Sequence, residues 1–238
     1  MLDVQKLIEL DKSITLAING SDSLFIDGFA DVFTSIAIWI PMAALVVFMI
    51  IRNLESKRLA IFLVLLVITV ILCDQVSSSI FKPLFERFRP THDLSIMDKI
   101  DTVNGYRGGL YGFISGHATN SFGISLFVAL AIHDKRFTVS ALIWAALNSL
   151  IRVYLGVHFF GDIFCGAIIG SIIASLMYLI YYNIPICRKS RVSSRYTEKI
   201  YTRSGFLLTD VRILLLTLYS TYFLITILVL IGQGIRML

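Results

Sequence analysis

Six stretches of this sequence are apolar over lengths that match a lipid bilayer, and they limit the fold more than any other feature. They fall near residues 32–51, 59–80, 117–132, 137–155, 159–182 and 211–231. A bilayer core is matched by about 20 apolar residues in helical conformation. Hydrophobic residues make up 57% of the 238, a share far above that of soluble domains. Charged residues, at 16%, bunch between the runs. The expected fold is all-α: an integral membrane bundle of about six transmembrane helices, with an N-terminal interfacial helix and a long outer loop between spans two and three.

The organisation reads as an amphipathic N-terminal interfacial segment (1–22), a main membrane domain (23–183), a basic cytoplasmic loop (184–210) and a final span of the same domain (211–238). Asp27 and Asp31 are read as starting span one. The net charge of +5 does not point to nucleic acid, because the positive residues sit in short links between spans. Arg52, Lys57, Arg58, Lys135, Arg136, Arg188, Lys189, Arg191, Arg195, Lys199 and Arg203 occupy three links that six spans place on one side. That side is cytoplasmic by the positive-inside rule. The N-terminus, the C-terminus and the 83–114 link then lie outside. Cys73, Cys165 and Cys187 have no metal-type spacing and predict no disulfide framework. Gly166 and Gly170 form a small-xxx-small step that predicts close helix packing in span five.

Ionisable residues beside apolar runs are costly and mark functional groups. Three clusters stand out, all on the outer side. His158 and Asp162 are four apart at the start of span five and share a helix face. The carboxylate can hold one ring nitrogen and leave the other free as nucleophile or base. Arg152 ends span four across a tight turn, where a guanidinium can fork onto phosphate oxygens; an Arg–Asp tie between helices is the plainer alternative. Ser115, Gly116 and His117 open span three, with Ser115 a favoured cap and the free amides a seat for an anion. His117 is placed to protonate a leaving oxygen. Lys82 and Arg89 close span two beside Pro83 and Pro90, where snorkelling alone would account for either. Asp74, with Ser78 and Lys82 at steps of four, is read as supporting Lys82 or another helix, a structural acid being the equal alternative; Arg107 is a candidate for a further phosphate or headgroup contact, a solvated loop charge being the plainer account. Glu86 and Arg87 are read as rim charges without a role.

Lys82-x6-Arg89-Pro90, Ser115-Gly116-His117 and Arg152-x5-His158-x3-Asp162 together resemble the three-part signature of the type 2 phosphatidic acid phosphatase (PAP2) superfamily, in its bacterial membrane lipid phosphatase branch. The resemblance is clearest over residues 23–183. Ile114 and Ile151 depart from it, standing where the family usually has Pro and Ser. It implies a phosphohistidine on His158, oriented by Asp162, with His117 as general acid. Lys82, Arg89, Ser115, Gly116 and Arg152 would hold the phosphoryl oxygens, and neither metal nor cofactor would be needed. The implied partners are a lipid phosphate or diphosphate and the bilayer, with no obligatory protein partner. Undecaprenyl diphosphate is the first choice, ahead of lipid A, phosphatidylglycerophosphate and phosphatidic acid. The implied location is a bacterial inner membrane with the site facing the periplasm. Phosphate transfer to another acceptor, or anion transport without cleavage, are the rival readings.

Overall fold

The computed structural model describes residues 3–21, 23–188 and 200–236, so most of the basic link, 189–199, lies outside the described residues. The apolar runs form α3 (Ile36–Asn53), α4 (Ser56–Gln75), α6 (Gly116–Ile132), α7 (Lys135–Tyr154), α8 (Phe160–Asn183) and α10 (Leu208–Arg236). Among the described residues, five helical segments are long and apolar enough to cross a membrane. The remaining run, α6, is a 17-residue apolar helix. It lies at the centre, packed against α4, α7 and α8. Short helices complete the chain: α1 (Val4–Ile18), α2 (Leu24–Thr34), α5 (Lys82–Phe85) and α9 (Pro185–Arg188). The protein is an all-helical integral membrane protein.

The first span does not begin where the sequence suggested. Residues 24–34 form their own helix, and the chain turns at Ser35 (φ −67°, ψ 127°) before α3 starts. The break is held locally: the Thr34 hydroxyl turns back to the carbonyls of Ala30 and Asp31, and Trp39 Nε1 donates to the Phe33 carbonyl. Asp27 therefore belongs to α2. It accepts a 2.5 Å hydrogen bond from the Tyr154 hydroxyl and ties α2 to the end of α7. Phe33, Trp39, Trp144 and Tyr222 pack as an aromatic cluster joining α2, α3, α7 and α10.

Helix α1 also differs from a simple surface float. Val4, Leu7 and Leu10 are exposed, as are Gln5, Lys6 and Glu9, while three polar residues of its second half reach the bundle: Asp11 and Thr15 meet the start of α8, and Lys12 pairs with Asp93 at 3.2 Å. At the opposite end of the bundle, Phe62, Phe127, Ile132, Phe206 and Leu214 form a continuous apolar core. Asp210 closes that end, taking a 2.7 Å hydrogen bond from Asn53 Nδ2 and pairing with Arg52.

Gly166 and Gly170 confirm the expected close packing. A methyl group at Gly166 would stand 2.8 Å from the Ser115 carbonyl oxygen, and one at Gly170 would run into the backbone of Thr119. Backbone thus meets backbone along the α6–α8 seam. Gly170→Val is expected to force these helices apart and to destabilise by about 3 kcal/mol, the upper range for overpacking a filled core. Thermal unfolding in detergent checks this, an unchanged midpoint being the contrary result.

Candidate active site

Helix α5 at the end of span two, the start of α6, the end of α7 and the start of α8 lie at one end of the bundle and carry Lys82, Gly116 with His117, Arg152 and Asp162 respectively. Span two does not run straight to Lys82. A π-helical turn, Val76–Phe81, intervenes before α5. The expected step of four holds from Asp74 to Ser78, while the π turn, which has more residues than an α turn, carries Lys82 off that register, its N–H going to the Ser77 carbonyl. Asp74 is exposed, with 3.5 Å contacts to Ser78 and Gln75. It lies within electrostatic reach of Lys82 but forms no ion pair with it among the described residues.

After α5 the chain turns through Glu86 in the left-handed region (φ 43°) and runs extended beside residues 110–112. Phe88 and Tyr111 form an antiparallel bridge; Arg89 N donates to the Leu110 carbonyl and Gly112 N to the Arg87 carbonyl. This short ribbon aims Arg87 and Arg89 inward. Arg89 is pinned by bonds of 3.2 Å from Nε to the Tyr111 carbonyl and from Nη1 to the Val157 carbonyl. Gly108 (φ 68°) lies against it, and a side chain there would sit 2.6 Å from Nη1. The long loop is thus tied to the bundle through Arg89 and the bridge at Phe88 and Tyr111. Asn19 fastens it from below through Asp101 and Tyr154.

Ser115 caps α6 as expected, its Oγ accepting from Ala118 N at 3.4 Å, and its own amide donates to the Asp162 carbonyl oxygen. Ser115 and Ile114 are fully buried. Gly116 allows the π turn of span two to come close, since a Cβ there would lie 3.2 Å from Ser77 Oγ. His117, one residue into α6, is exposed. Arg152, His158, Arg89 and Lys82 all lie within electrostatic reach of it. Arg152 is 9% exposed, and its Nε has no hydrogen-bond partner among the described residues. That guanidinium is not spent on an Arg–Asp tie.

Gly156 (φ 70°) turns the chain from α7 into α8 and delivers His158 and Asp162, both buried. His158 Nδ1 lies 3.3 Å from Asp162 Oδ2. The same oxygen accepts from Phe159 N at 3.0 Å, and Oδ1 accepts from Arg87 Nη1 at 2.9 Å. Burial pushes the His158 imidazole below its ordinary value, opposed by Asp162 and reinforced by the charges of Arg89 and Lys82. The net direction favours the neutral ring. Gly112 faces this pair closely: a Cβ there would lie 2.8 Å from Asp162 Oδ2 and 3.5 Å from His158 Nδ1.

Three residues near the site carried no signal in the sequence reading. Arg87, read as a rim charge, forks between Asp162 and Asp11, with its guanidinium 4.0 Å from the centre of the Phe159 ring. Asp11 comes from the far N-terminus. Tyr106, on the loop, lies within electrostatic reach of both Arg89 and Arg152. Arg107 is exposed, and the bond it makes is through its carbonyl, from the Thr91 hydroxyl. Among the described residues, no three His, Cys, Asp or Glu side chains are grouped so as to hold a metal ion.

A family model described as the PAP2 superfamily matches residues 58–185, a stretch that contains all three clusters. The chain belongs to the PAP2 superfamily. It is 36% identical over 180 residues to the lipid A 4'-phosphatase of Porphyromonas gingivalis, covering 75% of each chain. It is also 36% identical over 182 residues to the lipid A 4'-phosphatase of Bacteroides thetaiotaomicron, covering 76% of this chain and 81% of that one. Its fold resembles the PAP2-type phosphatidylglycerolphosphate phosphatase of Bacillus subtilis, with a TM-score of 0.54 at 20% identity over 77% of this chain and 89% of the other. As a PAP2 protein of this kind it is a membrane-embedded lipid phosphatase, a phosphoric ester hydrolase. Helices α1, α2, α3 and α10 lie outside the matched PAP2 segment.

Proposed function

We propose that the protein removes a phosphate monoester from lipid A through a phosphohistidine intermediate. The observation that carries this reading is the buried His158–Asp162 pair set among Arg89, Arg152, Lys82 and His117. Asp162 accepts the Nδ1 proton of His158, so Nε2 holds the lone pair that attacks phosphorus. As the bond from Nε2 to phosphorus forms, the bond to the sugar oxygen breaks, and His117 gives that oxygen its proton. Water then attacks the phosphohistidine, with His117 taking a proton back; phosphate leaves and His158 is restored. Lys82, Arg89 and Arg152, with the amide of Gly116 and the Ser115 hydroxyl, stabilise charge spread over the phosphoryl oxygens.

Lipid A is preferred to undecaprenyl diphosphate because both similar relatives carry that activity in their names, whereas no residue here selects an isoprenoid. With α6 counted as a sixth span beside the five long ones, the orientation we propose has the site facing the periplasm from a bacterial inner membrane and both termini outside. Arg52, Lys57, Arg58, Lys135, Arg136 and Arg203 on the other side support that orientation.

Phosphate release from detergent-solubilised protein tests the reading, using lipid A, undecaprenyl diphosphate, phosphatidylglycerophosphate and phosphatidic acid in excess EDTA. The expected result is undiminished activity in EDTA, with kcat/KM for lipid A about tenfold or more above the others, a preference of about 1.4 kcal/mol. Activity abolished by the chelator would overturn the metal-free mechanism. A preference for undecaprenyl diphosphate would overturn the substrate and leave the chemistry standing.

A further inference from the structure

Asp162 has two oxygens and the chemistry above uses one. Its Oδ1 is held by Arg87 Nη1 at 2.9 Å, and the other arm of that guanidinium, Nη2, meets Asp11 Oδ2 at 2.6 Å. Asp11 is itself fixed, its Oδ1 accepting from Gly161 N at 2.7 Å in the first turn of α8. One helical turn further along α1, Thr15 Oγ1 accepts from Phe160 N at 3.0 Å. Helix α1 thus satisfies two of the amides that a helix start leaves without intrahelical partners. The face of Phe159 supports the guanidinium from below.

A planar fork between two carboxylates fixes direction as well as charge, which a flexible ammonium does not. We infer that Arg87, anchored by Asp11 of α1, is a positioning residue that holds the Asp162 carboxylate in line with His158 and makes the N-terminal helix part of the catalytic apparatus. Phe159 N and Arg87 occupy the sites on Asp162 that His158 does not, so the carboxylate cannot swing away from the imidazole without breaking charged or buried bonds. Asp11 matters twice, since it also neutralises a cation that would otherwise stand unbalanced beside the pair. The inference rests on His158 being the nucleophile.

Burial acts most strongly on the ionisation of His158, followed by Asp162 on α8, Arg89 on the loop and Lys82 on α5; Arg87 on the loop touches Asp162, and His117 on α6 lies within electrostatic reach of His158 and of Arg152 on α7. Removing Arg87 takes one cation from this set. Protonation of His158 then becomes easier, and the acid limb of kcat/KM moves to higher pH. Arg87→Met is expected to lower kcat about 30-fold with KM changed less than threefold, and to shift the acid limb upward. Arg87→Lys restores the charge without the fork, and is expected to return the limb toward wild type while recovering only part of kcat. Asp11→Asn keeps an oxygen for Gly161 N but loses the ion pair. It is expected to lower kcat about fivefold, and to add little when combined with Arg87→Met, as coupled neighbours do.

All four proteins are compared with His158→Ala in the same lipid phosphate assay, alongside thermal unfolding in detergent. Wild-type kcat and an unmoved acid limb in Arg87→Met would overturn the inference. If that variant does not fold, wild-type kcat in folded Asp11→Asn overturns it instead. Activity surviving in His158→Ala would instead remove the functional reading on which the inference rests.

Discussion

His158→Ala is expected to lose about 10⁵-fold or more in kcat, with the protein still folded and still able to bind a lipid phosphate. Loss on this scale accompanies removal of a covalent nucleophile, because the remaining groups can hold the substrate but cannot split the reaction into two steps. His158 is 1% exposed, and its Nδ1 is engaged by Asp162. The other imidazole of the site, His117, is an exposed residue in the first turn of α6, where the proposed mechanism has it meet the leaving group. Phosphate release over a time course, with retention on a lipid phosphate surface measured in parallel, checks both halves. A variant within tenfold of wild type would remove His158 from the reaction. Loss of retention together with turnover would point to anion binding as the main role of the site.

Gly112→Ala should be the next most damaging small change, although it removes no functional group. Its Cβ would lie 2.8 Å from Asp162 Oδ2, closer than real Cβ atoms come, and 3.2 Å from Arg89 Cγ, a tight contact. The backbone cannot retreat freely, since Gly112 N is bonded to the Arg87 carbonyl at 2.8 Å and residues 88 and 111 are bridged. The strain therefore falls on the carboxylate that orients His158. A displacement of that size in a catalytic group costs about 10²-fold in rate. The expected result is a kcat about 10²-fold down with the unfolding temperature nearly unchanged. Unaltered kcat would mean that the loop stands off from Asp162 during turnover.

The catalytic outline was legible because its parts are local. Ser115-Gly116-His117 is a contiguous helix start, His158 and Asp162 are one turn apart, and the apolar runs put every cluster at one end of the bundle. The relationships that escaped are those made across the chain. Arg87 and Asp162 are separated by 75 positions, and Asp11 and Arg87 by 76. Nothing in the immediate sequence of Arg87 marks it as different from the solvated Glu86 beside it. Asp11 sat in a segment whose alternation of charge and apolar residues fits a surface helix equally well, and only the fold shows which way its polar side turns. The π turn before Lys82 was invisible for another reason: Val76–Phe81 has the composition of ordinary α-helix, and a six-residue change of winding leaves no periodic trace. Ser35 was likewise hidden inside a run read as one helix start, although serine is a common cap.

The glycine seam between α6 and α8 bears on how far the two imidazoles of the site can move apart. With no side-chain cushion along the contact, sliding one helix past the other would drive the Gly166 and Gly170 backbone into the carbonyls of Ser115 and Thr119. His117 in the first turn of α6 and His158, two residues before α8, are therefore mounted on one stiff frame. The 86–115 loop is bonded into that frame through Arg89, Gly112 and Ser115, so the rim keeps its shape as one piece.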